Sequence, residues 1–431
     1  MSTALNEAPL VATSDRATLR QWGALGVLLL AYVANFGAMT TINVLVEPIK
    51  RAFGLSDAEM GTIVGIAYAT GFALASLPAG MLTDRVNRRN LTAGAMTLAG
   101  FCSALSGLFG SYAGLLLARI GVGVAHAGGN PTAVTMIPDM FPPTQRSTAI
   151  GIYFLGIPIG MLTMFPLGSF MAEHYGWQAA LVAAGLPSVI IAGLMLLVVP
   201  EPRRGGMDGR LADAHAPPIA TALRFIGSQR SAVWLVAGIS LSNLTSGAAI
   251  SWLGSLYIRN YHMPLQDVGL TMALGFGVCG GIGSFLGGVV SDHLGKRDVR
   301  WQVRVTSLAT YGVLICGAAM VLVPDLRLAV ALMAIWSLCG NVQFGPIYGL
   351  CQGLVPARMR GTMAALLGIL GMVVGYGFGA QATGLLSQVL APTLGEESVR
   401  YALLLVDLLN LPVLGCYLLA TRGLKADLAR V

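Results

Sequence analysis

Residues 80–89 read GMLTDRVNRR, and residues 288–297 read GVVSDHLGKR. Gly80 lines up with Gly288, Asp84 with Asp292, and Arg88–Arg89 with Lys296–Arg297, an offset close to half of the 431-residue chain. Each copy closes a long apolar run. A second echo follows in each half: FPPTQRSTA at 141–149 and VPARMRGTM at 355–363. One pair of short basic loops could match by chance. Two pairs at equivalent places point to a duplicated unit, the organisation of membrane proteins built from parallel repeats that rock against each other.

Working outward from those loops, the composition fixes the class. Hydrophobic residues make up 55% of the chain, charged residues only 10%, and the mean hydropathy is +0.73, whereas soluble domains carry about 25% charged residues. The apolar runs are near the 20 or so residues that cross a bilayer core as a helix, and backbone in lipid must satisfy its own hydrogen bonds. Twelve spans are expected, at 22–45, 58–82, 91–110, 113–138, 148–172, 178–200, 232–257, 267–290, 304–323, 328–352, 362–387 and 401–420. The expected fold is an all-α membrane protein of two pseudo-symmetric six-helix bundles. Its divisions are a tail at 1–21, a bundle at 22–200, a linker at 201–231, a bundle at 232–421 and a tail at 422–431.

The net charge of +7 reflects topology and does not call for a nucleic-acid partner. With the N-terminus inside, 20 of the 26 Lys and Arg residues fall on the cytoplasmic side; Lys50, Arg51, Arg259, Arg327 and Arg400 fall outside, and Arg119 lies within a span. This is the positive-inside bias. It places both termini in the cytoplasm and the chain in the cytoplasmic (inner) membrane. The first 20 residues lack a signal-peptide core. The six cysteines fall within spans without CxxC spacing and read as packing residues, so no metal is expected. GFGVCG at 275–280 matches GxGxxG, yet it sits inside an apolar span with no preceding strand. With no GxxxxGK[ST], HExxH or GxSxG, neither an enzyme nor a cofactor is expected, and the expected state is a monomer.

GMLTDRVNRR and its weaker copy resemble the loop signature of the major facilitator superfamily. Arg119, followed by GVG in span four, is similar to that family's fourth-helix Arg-Gly motif. The resemblance covers essentially the whole chain. VEPIKRAFGLSDAEMG (46–61), PDMFPPTQRSTAIGIYFLGIPIG (138–160) and EHYGWQAA (173–180) are similar to bacterial spinster-type and related organic-anion transporters. The resemblance implies alternating access, with Asp84, Arg85, Arg88 and Arg146, echoed by Asp292 and Arg360, acting as cytoplasmic gating residues. Two departures matter. Spinster-type sequences usually carry an Asp-Arg pair in the first helix where this chain has Ala38 and Met39, and a glutamate in the fourth where it has His126.

Span four, ARIGVGVAHAGGNP at 118–131, therefore holds the central question. At about 100° per residue, His126 returns to within about 20° of Arg119, and Asn130 continues the stripe. A central Arg costs about 2.5–3.5 kcal/mol on insertion scales, so Arg119 should meet backbone carbonyls or Glu47, bind an anion directly, or take part in gating. His126 reads either as a neutral core histidine or as a proton-coupling site, because its charge responds to small environmental changes near neutral pH. Further substrate-binding candidates are Tyr32, Asn43, Tyr68, Tyr153, Asn243, Trp252, Asn341, Gln343, Tyr348 and Tyr376, each with an interhelical hydrogen bond as the plainer alternative. A mostly apolar site with a few orienting groups suits a small organic anion taken up with protons. Export of a lipophilic drug or lysolipid is the second reading, and a membrane sensor that does not transport is a third.

Overall fold

The structure is a computed structural model, and it describes residues 17–202 and 218–430. The expected tail up to residue 16 and most of the expected linker lie outside the described residues. Among the described residues every regular element is helical. Ten segments are long and apolar enough to cross a membrane by length and composition. One of them, Arg360–Leu428, has 69 residues and doubles back at the turn Gly395–Glu397. Tyr112–Met140 falls outside those ten; it has 29 residues and contains Arg119, His126, Pro131 and Pro138. Counting the doubled segment twice and including Tyr112–Met140 gives the twelve expected traverses. They are labelled α1 (Leu19–Val44), α2 (Asp57–Thr83), α3 (Arg88–Leu108), α4 (Tyr112–Met140), α5 (Pro143–Tyr175), α6 (Trp177–Val198), α7 (Arg230–Tyr261), α8 (Leu265–Gly295), α9 (Arg300–Leu322), α10 (Leu326–Gly353), α11 (360–394) and α12 (398–428).

Local sequence sets the helix ends. Thr18 and Gln21 form a capping box at the start of α1, and the Gln21 amide donates to Met140 O at 2.7 Å, which joins that start to the end of α4. Asn87, Ser111 and Asp325 cap α3, α4 and α10. Two of the traverses are interrupted at polar side chains. α10 is interrupted between Asn341 and Phe344, and α12 between Asp407 and Asn410. Gln343 fills the first break: its amide donates to Ser242 Oγ at 2.7 Å, and its carbonyl accepts from Tyr417 Oη at 2.8 Å. Asn410 spans the second by donating to Asp407 O and Oδ1. The α4 helix runs unbroken through Pro131.

The first six traverses pack on one another, mainly through α3 against α4 and α6, α2 against α4, and α1 against α5 and α6. The last six pack through α7 against α11 and α12, and α9 against α10 and α12. The two bundles meet along α2 with α11 and α5 with α8. Three π-helical turns, Thr62–Ala67, Ala273–Cys279 and Gly371–Phe378, lie in α2, α8 and α11 at those contacts. Such turns widen a helix locally and recur at functional sites. At the α2–α11 crossing the backbones touch: a Cβ on Gly65 would stand 2.5 Å from Gly377 O and 3.0 Å from Tyr376 O. Only glycine permits that approach.

Gly65→Val should therefore wedge the bundles apart. A cysteine introduced at Asn43, 4% exposed in the wild-type chain, should become reactive to a membrane-impermeant maleimide only when Gly65→Val is also present.

Candidate functional site

The polar stripe of α4 turns toward α1. Arg119 Nη2 donates to Met39 O at 3.1 Å, and His126 Nε2 meets Asn35 O at 2.9 Å. The Asn35 amide donates to Asn130 Oδ1 at 3.0 Å. A carbonyl can only accept, so His126 Nε2 carries a hydrogen. The other ring nitrogen, Nδ1, faces Tyr68 Oη at 3.1 Å, and the same hydroxyl lies 3.9 Å from Met372 Sδ on α11. Arg119 is 1% exposed; its Nε and Nη1 have no hydrogen-bond partner, and no ion pair is formed by it among the described residues. Glu47, the acid considered for it, is engaged elsewhere. The Tyr68 ring lies 6.0 Å from the guanidinium carbon, within cation–π range.

Aromatic rings surround this stripe. Tyr32 stacks on Tyr153 with centroids 4.7 Å apart, and Tyr153 Oη reaches Asn130 O at 3.4 Å. Met372 and Tyr376 of α11 pack against the cluster that contains Tyr32, Tyr68 and Tyr153. Asn243 and Tyr348 sit together beside Gly371: a Cβ there would lie 3.2 Å from the amide nitrogen and 3.9 Å from the hydroxyl. The structure thus brings Arg119, His126, Asn130, Tyr32, Tyr68, Tyr153 and Tyr376 to one region between the bundles, with Asn243 and Tyr348 beside Gly371 in the second bundle. Four other candidates lie elsewhere. Trp252 is fully buried and donates to Ala380 O at 2.8 Å, Asn341 donates back to Ser337 O, and Gln343 ties α10 to α7 and α12. Asn43 sits where α1 passes Gly254 of α7. Asn35, which holds both His126 and Asn130, is the residue on α1 that organises the stripe.

On the face opposite the termini, a buried ion cluster links the bundles. Arg259, at the end of α7, donates to Glu47 Oε1 through Nε at 2.8 Å and to both carboxylate oxygens of Asp57 at 2.7 and 2.8 Å. Lys50 Nζ adds a contact of 2.5 Å to Asp57 Oδ1, and Ser387 Oγ of α11 donates to Asp57 Oδ2 at 2.6 Å. Arg259, Glu47 and Asp57 side chains are 9%, 7% and 4% exposed. Gln381 and Gln388 of α11 also bond the start of α2, and Gln266 N of α8 donates to Glu173 of α5. None of these residues was singled out from sequence for this role. The usable signal was scarcity: on a face with five basic residues, Arg259 stands at a span end while Glu47, Lys50 and Asp57 crowd one loop.

The loop residues nearer the termini behave differently. Arg88 is buried and pairs with Asp139 of α4 at 2.7 Å and with Glu201, just past α6, at 3.2 Å. Arg85, Asp292 and Arg360 are exposed, Arg146 is half-buried and has partners of its own, and the Asp84 side chain lies outside the described residues. Just past the second copy the engaged acid is Asp298, while Asp292 forms no ion pair among the described residues. Asp298 accepts from Arg300 N at 2.9 Å and pairs with Lys425 at 2.9 Å, and these donors, the backbone N–H foremost, hold its carboxyl below the usual range.

The description "Major Facilitator Superfamily" belongs to the family model that matches residues 28–380. An MFS-type efflux pump of Mycolicibacterium smegmatis is 30% identical over 412 residues, covering 95% of this chain and 94% of that protein. The probable L-galactonate transporter of Escherichia coli is 25% identical over 370 residues, covering 83% and 81%. Among solved structures, a bacterial homolog of the human lysosomal transporter Spinster, in an inward-facing and unoccupied conformation, superposes with a TM-score of 0.83 at 24% identity, covering 95% of this chain and 99% of that one. Twelve helical traverses in two bundles, the repeated loop signature and these matches together make this chain a member of the Major Facilitator Superfamily, a transporter and not an enzyme.

Proposed function

We propose that the chain is a secondary transporter that moves a small organic anion together with protons across the cytoplasmic membrane, with both termini in the cytoplasm. The observation that carries the anion reading is Arg119. A guanidinium buried in a membrane helix with two N–H-bearing nitrogens unpaired is a costly arrangement, because each unmet buried polar group is worth about 1–3 kcal/mol and more when charged. A carboxylate arriving between the bundles would meet that need, with Tyr32, Tyr153 and Tyr376 as apolar walls and Asn243 and Tyr348 as orienting groups. The name of the L-galactonate relative is in keeping with a carboxylate cargo.

The proton has a place that conserves every hydrogen bond. With His126 neutral, Nε2–H donates to Asn35 O and Tyr68 O–H donates to Nδ1. Adding a proton at Nδ1 reverses the second bond, so that Nδ1–H donates to Tyr68 Oη and the phenol hydrogen turns toward Met372 Sδ. Protonation in the first bundle is thereby felt at α11 in the second. The cluster around Arg259 closes the outer face in this conformation. Its rupture would open that face, with Asp84, Arg85, Arg88, Arg146, Asp292 and Arg360 closing the cytoplasmic one.

Counterflow in proteoliposomes tests the cargo, using L-galactonate, aromatic carboxylates and lipophilic drugs as probes. Exchange of a carboxylate is expected; exchange of lipophilic drugs alone would overturn the reading in favour of the efflux function named for the M. smegmatis relative. Arg119→Gln should weaken half-saturation by a carboxylate roughly 10- to 100-fold, the worth of a charged hydrogen bond of about 1.5–3 kcal/mol. His126→Gln should retain counterflow yet lose accumulation driven by a pH gradient; accumulation left intact would remove His126 from coupling. Arg259→Gln leaves Glu47 without its cation and Asp57 with Lys50 alone, a loss of about 3–5 kcal/mol for a broken buried pair. Spin labels at positions 52 and 391 should then report longer distances across the outer face.

A further inference from the structure

At the terminus-side end of α7 and α12, a groove of about 270 Å³ is lined by Arg230, Trp234, Leu419, Arg422 and Gly423. It adjoins a recess of about 380 Å³ lined by Gly227, Arg230, Val233 and Trp234. Arg230 and Arg422 are both exposed and form no ion pair among the described residues. The nearby acid, Asp427, does not neutralise them: it accepts from Ser231 N at 2.9 Å and faces Arg430 at 3.5 Å. Hydrogen-bonding capacity is also unmet at this spot. Both amide atoms of Gln229 and the hydroxyl of Ser231 are buried without partners, and Ser231 Oγ lies 3.0 Å from where a Gly423 Cβ would stand at the groove floor.

The surroundings are those of a bilayer surface. Val233, Trp234 and Leu418 are 42%, 37% and 59% exposed just inward of the arginines. The short helix Ile219–Ser228, which leads into α7, buries Ala222 and Ile226 while exposing Ile219, Leu223 and Arg224. A helix with that division lies in the interface plane, and a tryptophan beside it marks headgroup depth. Basic pockets between traverses on this side hold anionic headgroups. We propose that the α7–α12 groove binds an anionic glycerophospholipid of the cytoplasmic leaflet, its phosphate between Arg230 and Arg422 and its acyl chains along Val233, Trp234 and Leu419. A lipid seated there grips α7, whose far end carries Arg259.

Tryptophan quenching by brominated lipids tests this on the full chain in phosphatidylcholine vesicles, with Trp234→Phe subtracted to isolate the Trp234 signal. Brominated phosphatidylglycerol should quench that signal at a mole fraction lower than brominated phosphatidylcholine requires, by roughly fivefold for each arginine that contributes. The R230Q/R422Q double variant should abolish the preference, and Arg224→Gln, outside the groove, should keep it. Equal quenching by the two lipids in the parent overturns the proposal, as does a preference that survives loss of both arginines.

Discussion

A hydrocarbon slab offers no water to unmet polar groups, and the polar stripe of α4 is placed to answer that constraint. On α4, three polar residues one or two turns apart would be intolerable toward lipid. They face α1 instead, where Met39 O, Asn35 O and the Asn35 amide receive them. The same necessity explains the second bundle. Gln343, at the break in α10, meets Ser242 and Tyr417, and Asn410, at the break in α12, takes up Asp407 O. Among the described residues the unmet groups include two nitrogens of Arg119 between the bundles, and others such as Tyr257 Oη, Asp407 Oδ2 and the Gln229 amide lie elsewhere in the fold.

Close glycine crossings occur inside the first bundle, as at Gly71 and Gly123, and one apolar cluster runs through both bundles. Between bundles, the outer half is held by close backbone crossings at Gly65 and by the ion cluster at Arg259. Buried ion pairs contribute little net stability, because desolvation offsets attraction, but losing one partner is costly. A joint of this kind is either made or broken. The π-helical turns of α2, α8 and α11 add local slack at the same surface.

The surroundings of His126 show what an imidazole can do at that place. A carboxylate can only accept when ionised. An imidazole donates from one nitrogen and accepts or donates at the other, so it can meet a fixed carbonyl and a reversible phenol at once. Asn35 and Tyr68 supply these two partners from α1 and α2, and Met372 gives the phenol an alternative acceptor on α11.

Much was legible in the chain itself. Apolar run lengths gave the traverses, charge bias the expected orientation, the echo of GMLTDRVNRR in GVVSDHLGKR the duplication, and seven-residue spacing the shared face of Arg119 and His126. All of these depend on local composition or on helical periodicity, which sequence carries directly. Other features depend on which helix faces which across hundreds of residues. The sequence placed Glu47 near Arg119 as a candidate partner, but folding delivers it to Arg259, 212 positions away. It offered Trp252 and Gln343 as cargo ligands, and packing uses both as interhelical ties. Partner choice among scarce polar groups is decided by three-dimensional proximity, because each buried polar atom bonds to what lies within about 3 Å of it, and only the tertiary structure fixes that neighbour.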